Sequence, residues 1–335
     1  MTLTDTPVVT AEQSFGPLAQ EVNARGLLRR RPLGYARIIG GDLALALVLG
    51  VTMVAIGPSW WQLVLAVPAA LLTTRWAFLG HDAGHKQVAG SHRANRLLGL
   101  VFGDLLVGMS YGWWTTKHNR HHAHPNDVER DPDVGTGVLA WTPEQAAEKT
   151  GFGRWLVRNQ AAAFFPLLLL EAVNLKISSV RDLRRPGRAD ARLEGRLLVA
   201  HHVAYASFLL VVMSPVQALA FAALHHALFG LHLGCAFAPN HKGMPMPQPG
   251  VRWTHLHRQV LTSRNVRGGK VTDWLLGGLN YQIEHHLFPS MPRPALREAQ
   301  PVVRAYCERV GLPYVEEGAL ASYRHALQHL DGVDH

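Results

Sequence analysis

Two pairs of long apolar runs limit what this 335-residue chain can fold into. Residues 38–56 are apolar apart from Asp42, and residues 63–79 follow after the turn Gly57-Pro58-Ser59. Residues 197–213 and 216–238 form the second pair, joined at Ser214-Pro215. At about 1.5 Å per residue, each run is close to the length needed to cross a hydrocarbon layer of about 30 Å. Trp60 and Trp61 suit an interfacial belt, and Arg75, late in the second run, is expected to snorkel towards headgroups. These features predict an all-α integral membrane protein. Four transmembrane helices and a cytoplasmic helical cap would form one domain over residues 25–335, after a disordered tail at 1–24.

Charge placement orients the runs. Arg25, Arg29, Arg30, Arg31 and Arg37 precede the first, and residues 181–196 form a second basic block. The two short turns carry neither Lys nor Arg, so the basic blocks and both termini are expected to be cytoplasmic. Residues 97–114 and 161–177 are also apolar, but one is short and glycine-rich and the other holds Glu171, Asn174 and Lys176. A single extra crossing would put the histidine clusters on opposite faces, so both read as interfacial helices. Residues 1–20 lack the pattern of a secretory signal. The net charge of +9 fits anionic lipid or an acidic redox partner, and no nucleic-acid-binding motif accompanies it. Cys235 and Cys307 cannot build a disulfide framework.

Histidines follow each pair of runs. On a helix, His118, His121 and His122 fall at i, i+3 and i+4 and share one face. His81 and His85 are spaced i, i+4 at the end of the second run. Gln282, His285 and His286 repeat the i, i+3, i+4 pattern, with glutamine in the first place. Asn240-His241 emerges from the fourth run where His81 emerges from the second. Solvated surface histidines are the competing reading of any one cluster; three together point to a shared site for iron or zinc. Eight imidazoles exceed one ion's needs and fit two ions with an open position each. Asp82, Asn119, Asn126, Asp127, Asp131 and Glu284 are candidates for orienting the rings.

His124 is read as outside the site. His201, His202, His225, His226 and His232 are read as helix–helix hydrogen-bonding groups, and His255 and His257 as loop surface. Arg252, Arg258, Arg264, Arg267 and Lys270 could bind a phosphate or headgroup, or be an ordinary basic loop. The zinc-protease signature is absent, and so are flavin and haem signatures. An all-imidazole site beside a membrane face therefore points to oxygen-dependent oxidation of an apolar substrate, with electrons from outside.

The boxes His81–His85, His118–His122 and Asn280-Tyr281-Gln282-Ile283-Glu284-His285-His286-Leu287-Phe288-Pro289 resemble those of the membrane fatty acid desaturases. The likeness is to bacterial acyl-CoA and acyl-lipid desaturases with glutamine in the third box. It implies a di-iron centre held by His81, His85, His118, His121, His122, His285 and His286, with His241 a further ligand. It implies dioxygen as cosubstrate, an acyl-CoA or acyl-lipid substrate, a location in the bacterial inner membrane, and a cis double bond, position nine being favoured. Gln282 replaces a histidine of the animal acyl-CoA enzymes, leaving that iron fewer imidazoles or a water; Gln282 and Asn240 are further candidates for supporting the ligands. The His-Pro-Gly-Gly haem signature of a fused cytochrome b5 is missing, so a ferredoxin with its reductase, or a cytochrome b5-like protein, would supply electrons. A membrane hydroxylase is the nearest alternative, and a non-enzymatic metal-binding or transport protein a second.

Overall fold

The structure, a computed structural model, describes residues 14–247 and 251–334. In chain order the helices are α1 (Phe15–Ala24), α2 (Pro32–Ile56), α3 (Gln62–Gly84), α4 (His92–Gly99) and a wider π-helical segment (Leu100–Val107). Then come α5 (Tyr111–Ala123), α6 (Pro143–Ala147), α7 (Gly151–Arg158), α8 (Gln160–Leu168), α9 (Glu171–Leu183), α10 (Ala191–Val212) and α11 (Pro215–His241). Short helices α12 (His255–Leu261), α13 (Lys270–Leu275) and α14 (Gln282–Leu287) precede α15 (Arg293–Arg309) and α16 (Ala319–Asp331). Strands β1 (Asn265–Arg267) and β2 (Glu316–Gly318) pair in parallel, with Asn265 opposite Glu316. Contacts divide the chain into two compact units, one of Arg30–Thr116 with Phe165–Cys235, the other of Met1–Arg29, Lys117–Phe164 and Ala236–His335.

The first unit holds the apolar helices. α2, α3, α10 and α11 are each long and apolar enough to cross a membrane, and all four extend beyond the runs marked in the sequence. Leu43, Leu47, Val51 and Val54 stand exposed along α2, as do Val199, Val203 and Val211 along α10, which suits contact with lipid. Met53, Ala66, Ala69, Leu209, Val212, Ala218 and Phe221 pack where the helices turn back. There the Gln62 amide donates to the carbonyls of Met53 (2.7 Å) and Gly57 (2.9 Å). It thereby closes the end of α2, which Gly57 leaves at φ +62°.

Arg75 does not snorkel. Its guanidinium donates to the Asp42 carboxylate, and both side chains are buried between α2 and α3. A pair inside the bundle costs less than either charge alone facing hydrocarbon, and that outweighs the reach to the interface. Residues 97–114 are not one interfacial helix. The chain bends by 110° between His92–Val107 and α5, where Gly108 takes φ +74°. Residues 161–177 likewise divide into α8 and α9, at 71° to each other.

The second unit has its own core. Leu18 and Val22 of α1 pack with Leu256 and Val260 of α12, Ile283 and Leu287 of α14, and Leu296, Ala299 and Val303 of α15. Residues 15–24 are thus helical rather than a disordered tail. Leu18 and Val22 fall one turn apart and are fully buried, each contributing about 1.5–3 kcal/mol; residues 1–13 lie outside the described residues. The loop expected around His255 and His257 is helix α12, started by the Thr254 hydroxyl. His257 is buried on its inner face, not on the surface. Only Leu256 and Val260 signal that face, too few for a period to show.

Candidate metal centre

α5 carries the second box, and its start is held in the first unit. Three of its leading N–H groups find oxygens: Tyr111 donates to Asp104 (3.1 Å), Gly112 to Glu194 (3.2 Å) and Trp113 to the Ser110 hydroxyl (3.1 Å). Two of those acceptors are carboxylates, which also suit the positive end of a helix. The other ends of the histidine-bearing helices meet arginines. Arg258 donates to Ala123 O at 3.0 Å, at the last residue of α5. Arg264 donates to Pro239 O (2.9 Å) and Lys242 O (2.7 Å), on either side of His241. Arg264 is buried, and Arg267 is paired with Glu316. Three of the five basic residues that could have formed a phosphate site therefore serve the fold.

Within the second unit six imidazoles form two groups. Ring nitrogens of His121, His241 and His286 lie within 4.8 Å of one another, and so do those of His118, His122 and His285. His122 and His286 stack with centroids 4.1 Å apart, so the groups adjoin. The far nitrogens of the first group are held by oxygen. His121 Nδ1 is 2.9 Å from Asp131 Oδ2, His241 Nδ1 is 2.9 Å from Thr262 O, and His286 Nδ1 is 2.9 Å from Gln259 Oε1. A carbonyl or carboxylate oxygen accepts only, so each Nδ1 carries the hydrogen and each Nε2 a lone pair. His121 Nε2 and His241 Nε2 then face each other at 3.3 Å with no hydrogen between them. Two lone pairs at that distance repel, and a cation between them removes the conflict. His118 Nε2 and His122 Nε2 stand 3.0 Å apart in the other group. The donor set fits transition-metal ions.

His81 and His85 lie in the first unit at the end of α3, ring centroids 4.7 Å apart. Asp82 Oδ1 is 3.2 Å from His81 Nδ1. Gly84 is required here: a Cβ would come within 2.8 Å of the Trp114 ring and 3.2 Å of Thr115. The glycine within the first box lets α5 pack directly on α3.

Other expected residues divide. Gln282 Nε2 donates to His241 Nε2 at 2.8 Å, while its Oε1 accepts from Asn240 Nδ2 at 3.3 Å. Asn126 Nδ2 donates to His241 O at 3.1 Å. Glu284 does not reach a ring: it accepts from Asn265 Nδ2 and Tyr314 Oη, both at 2.7 Å. Burial pushes its carboxyl up to about 7 against those two hydrogen bonds, so the Asn265–Glu284–Tyr314 set holds α14 in place. Asn119 is exposed and makes no contact with a site ring: at one residue past His118 it lies on the other side of α5. Asp131 is held below the usual carboxylate range; burial raises it, but the hydrogen bond from His121 and the charge of Lys242 outweigh that. His124 stays outside both groups. Gln259 was not legible as a site residue, because neither spacing nor a motif links it to a histidine box.

A family model described as fatty acid desaturase matches residues 58–318. Among characterised proteins, an acyl-lipid (9-3)-desaturase of Physcomitrium patens is 31% identical over 76% of this chain. This chain spans about half of that relative, 51% of its length. A Delta(8)-fatty-acid desaturase of Euglena gracilis is 30% identical, the match covering 91% of this chain and 74% of the relative. A Delta(8)-fatty-acid desaturase of Arabidopsis thaliana is 29% identical over 92% of this chain and 72% of its own length. With its three histidine boxes and four long apolar helices inside or beside the matched region, the chain belongs to the fatty acid desaturase family.

Proposed function

We propose that the chain is an oxygen-dependent membrane desaturase that introduces a double bond into a long acyl chain. The observation that carries this reading is the convergence of the His121, His241 and His286 nitrogens beside His118, His122 and His285. Iron is the metal we assign, as two ions, with His81 and His85 completing the ligand set. When bound and reduced, iron would supply the means to activate dioxygen and to remove two hydrogens from adjacent methylenes. The balance is –CH2–CH2– plus O2, two electrons and two protons, giving –CH=CH– and two waters. The chain's own part is to hold imidazoles in one tautomer: Asp131, Thr262 O and Gln259 fix the hydrogens on Nδ1. Gln282 can turn its amide so that oxygen, not nitrogen, faces the His241 group, or leave that place to water.

The substrate is an acyl-lipid or acyl-CoA, the first favoured by the moss relative's name. Relatives named for position eight move the reading from position nine towards positions nearer the carboxyl end. Electrons come from a separate donor, such as a ferredoxin with its reductase or a cytochrome b5-like protein. The basic blocks favour a metal site and termini on the cytoplasmic face of the membrane. Expression with a ferredoxin system, followed by gas chromatography of the fatty acids and metal analysis, tests the reading. A new double bond, lost in His121→Ala, supports it; a hydroxylated product or stoichiometric zinc overturns it.

A further inference from the structure

The first unit contains a cavity of about 330 Å³ that the histidine boxes do not line. Its walls are mainly apolar: Leu49 and Met53 of α2, Leu72 and Trp76 of α3, Phe221 and Phe229 of α11. At one pole stand Lys176, His201, Tyr205, His225 and His226. His201 lies on α10 (Ala191–Val212) four residues into the apolar run that starts at 197, about 6 Å past Leu197. A cation at that depth in a bundle is costly and calls for a functional account.

The pole is built. Lys176 Nζ donates to Val107 O at 2.7 Å, lies 3.5 Å from Gly108 O and donates to His201 Nε2 at 3.3 Å. His201 Nδ1 gives its hydrogen to Leu105 O at 2.9 Å, so this ring is neutral. Gly108 makes the room, since a Cβ there would occupy the space of the His201 ring and the ammonium. Thr73 donates to Ala69 O, so His225 Nε2–H donates to Thr73 Oγ1 (3.0 Å) and His225 Nδ1 accepts from Tyr205 Oη (2.8 Å). His226 Nδ1 donates to Ala222 O at 2.9 Å, which makes its Nε2 an acceptor on the cavity wall. Every partner of Lys176 among the described residues is neutral. The helix end it meets offsets about half a charge at most.

We infer that this cavity binds the carboxyl end of a non-esterified fatty acid. Charge calls for an anion, and the apolar walls admit one only on an alkyl tail. A phospholipid does not fit, because its phosphate stays at the interface and its ester-linked chains carry no anion. A carboxylate matches the charge of the pole, with an oxygen accepting from Lys176. The alkyl tail lies along Leu49, Met53, Leu72 and Phe229.

The test is calorimetric titration of the full-length protein in phosphatidylcholine nanodiscs. Laurate should bind saturably, one per chain, and methyl laurate at least about tenfold more weakly. Lys176→Met should weaken laurate about tenfold or more, whereas Lys176→Arg should stay within a few-fold. Since Lys176 also meets a helix end, Lys176→Met can fail to fold. Ala46→Phe, which fills the cavity from α2 without touching the pole, is the second variant and should abolish saturable binding. Partition without saturation, equal binding of the ester, or unchanged laurate affinity in folded Lys176→Met and Ala46→Phe would overturn the assignment. Double-bond formation is not read, so the outcome is independent of the desaturase reading.

Discussion

Gln259 Oε1 lies 2.9 Å from His286 Nδ1, and this contact sets which nitrogen of His286 faces the other rings. The amide cannot turn over, because its Nε2 donates to His122 O at 2.8 Å. One side chain on α12 thus ties the second histidine box to the third. Removing such an outer partner of a metal-bound imidazole typically costs about 10–100-fold in metal affinity. Gln259→Leu should lower metal content by that order after dialysis against a chelator. Gln259→Glu, which keeps the acceptor, should retain more metal than Gln259→Leu. Equal metal in all three proteins would count against this role.

Asp131 does the same for His121 and also accepts from the Asn126 backbone at 2.8 Å. Asn126 sits at φ +58°, so this carboxylate also holds a turn that a non-glycine residue enters at a cost. Asp131→Ala should therefore lose metal and stability together, whereas Gln259→Leu should mainly lose metal. Metal analysis beside thermal unfolding of the same preparations separates the two.

The Asp42–Arg75 pair predicts a sharper asymmetry. Removing one partner leaves a buried charge without its opposite, which costs about 3–5 kcal/mol, while replacing both by apolar residues is often near neutral. Arg75→Leu should lower the unfolding temperature in nanodiscs strongly, and Asp42→Leu with Arg75→Leu should recover most of it. Additive losses would show that the pair does not act as a unit.

His329 carries a pH dependence. Burial, and next the charge of Lys242, hold its imidazole below the ordinary 6.5. The folded ring stays neutral while the unfolded ring takes up a proton, so the unfolded state binds more protons just below pH 6.5. Its contribution is complete above about pH 6.5 and is lost as pH falls through the folded value. Unfolding temperature of chelator-treated protein should drop on going from pH 7 to pH 5. His329→Gln should make that slope shallower; an unchanged slope would dismiss the group.

The four spans and the box histidines were legible because each rests on a local period: apolar runs of membrane length, and i, i+3, i+4 imidazoles. What was not legible depends on contacts far apart in the chain. Arg75 reads as an interfacial residue until Asp42, 33 positions away, is seen against it. Gln259 and Thr262 orient ligands 27 and 21 residues distant, one through a side chain and one through a carbonyl. Asn119 shows the converse: adjacency to His118 in sequence puts it on the wrong side of the helix. The helix at residues 15–24 was missed because its inward positions are few and its partner α15 lies almost 300 residues on.

Arg264 gives the last prediction. Its Nε and Nη2 donate to the carbonyls of Pro239 and Lys242, its Nη2 also to Ser322 O at 3.3 Å, and its Nη1 faces Glu317 at 3.4 Å. Those first two carbonyls bracket His241, so the guanidinium fixes the end of α11 at the point where a ligand leaves it. A lysine has one nitrogen and cannot serve both carbonyls and Glu317 with the same geometry. Arg264→Lys should cost about 2–4 kcal/mol, from lost charged hydrogen bonds in a buried place. It should also displace His241 and so lower metal occupancy of the His121–His241–His286 group. His241→Ala, by contrast, should lose metal with little change in the stability of metal-free protein. If Arg264→Lys keeps both full metal content and wild-type unfolding temperature, the arginine does not position the site.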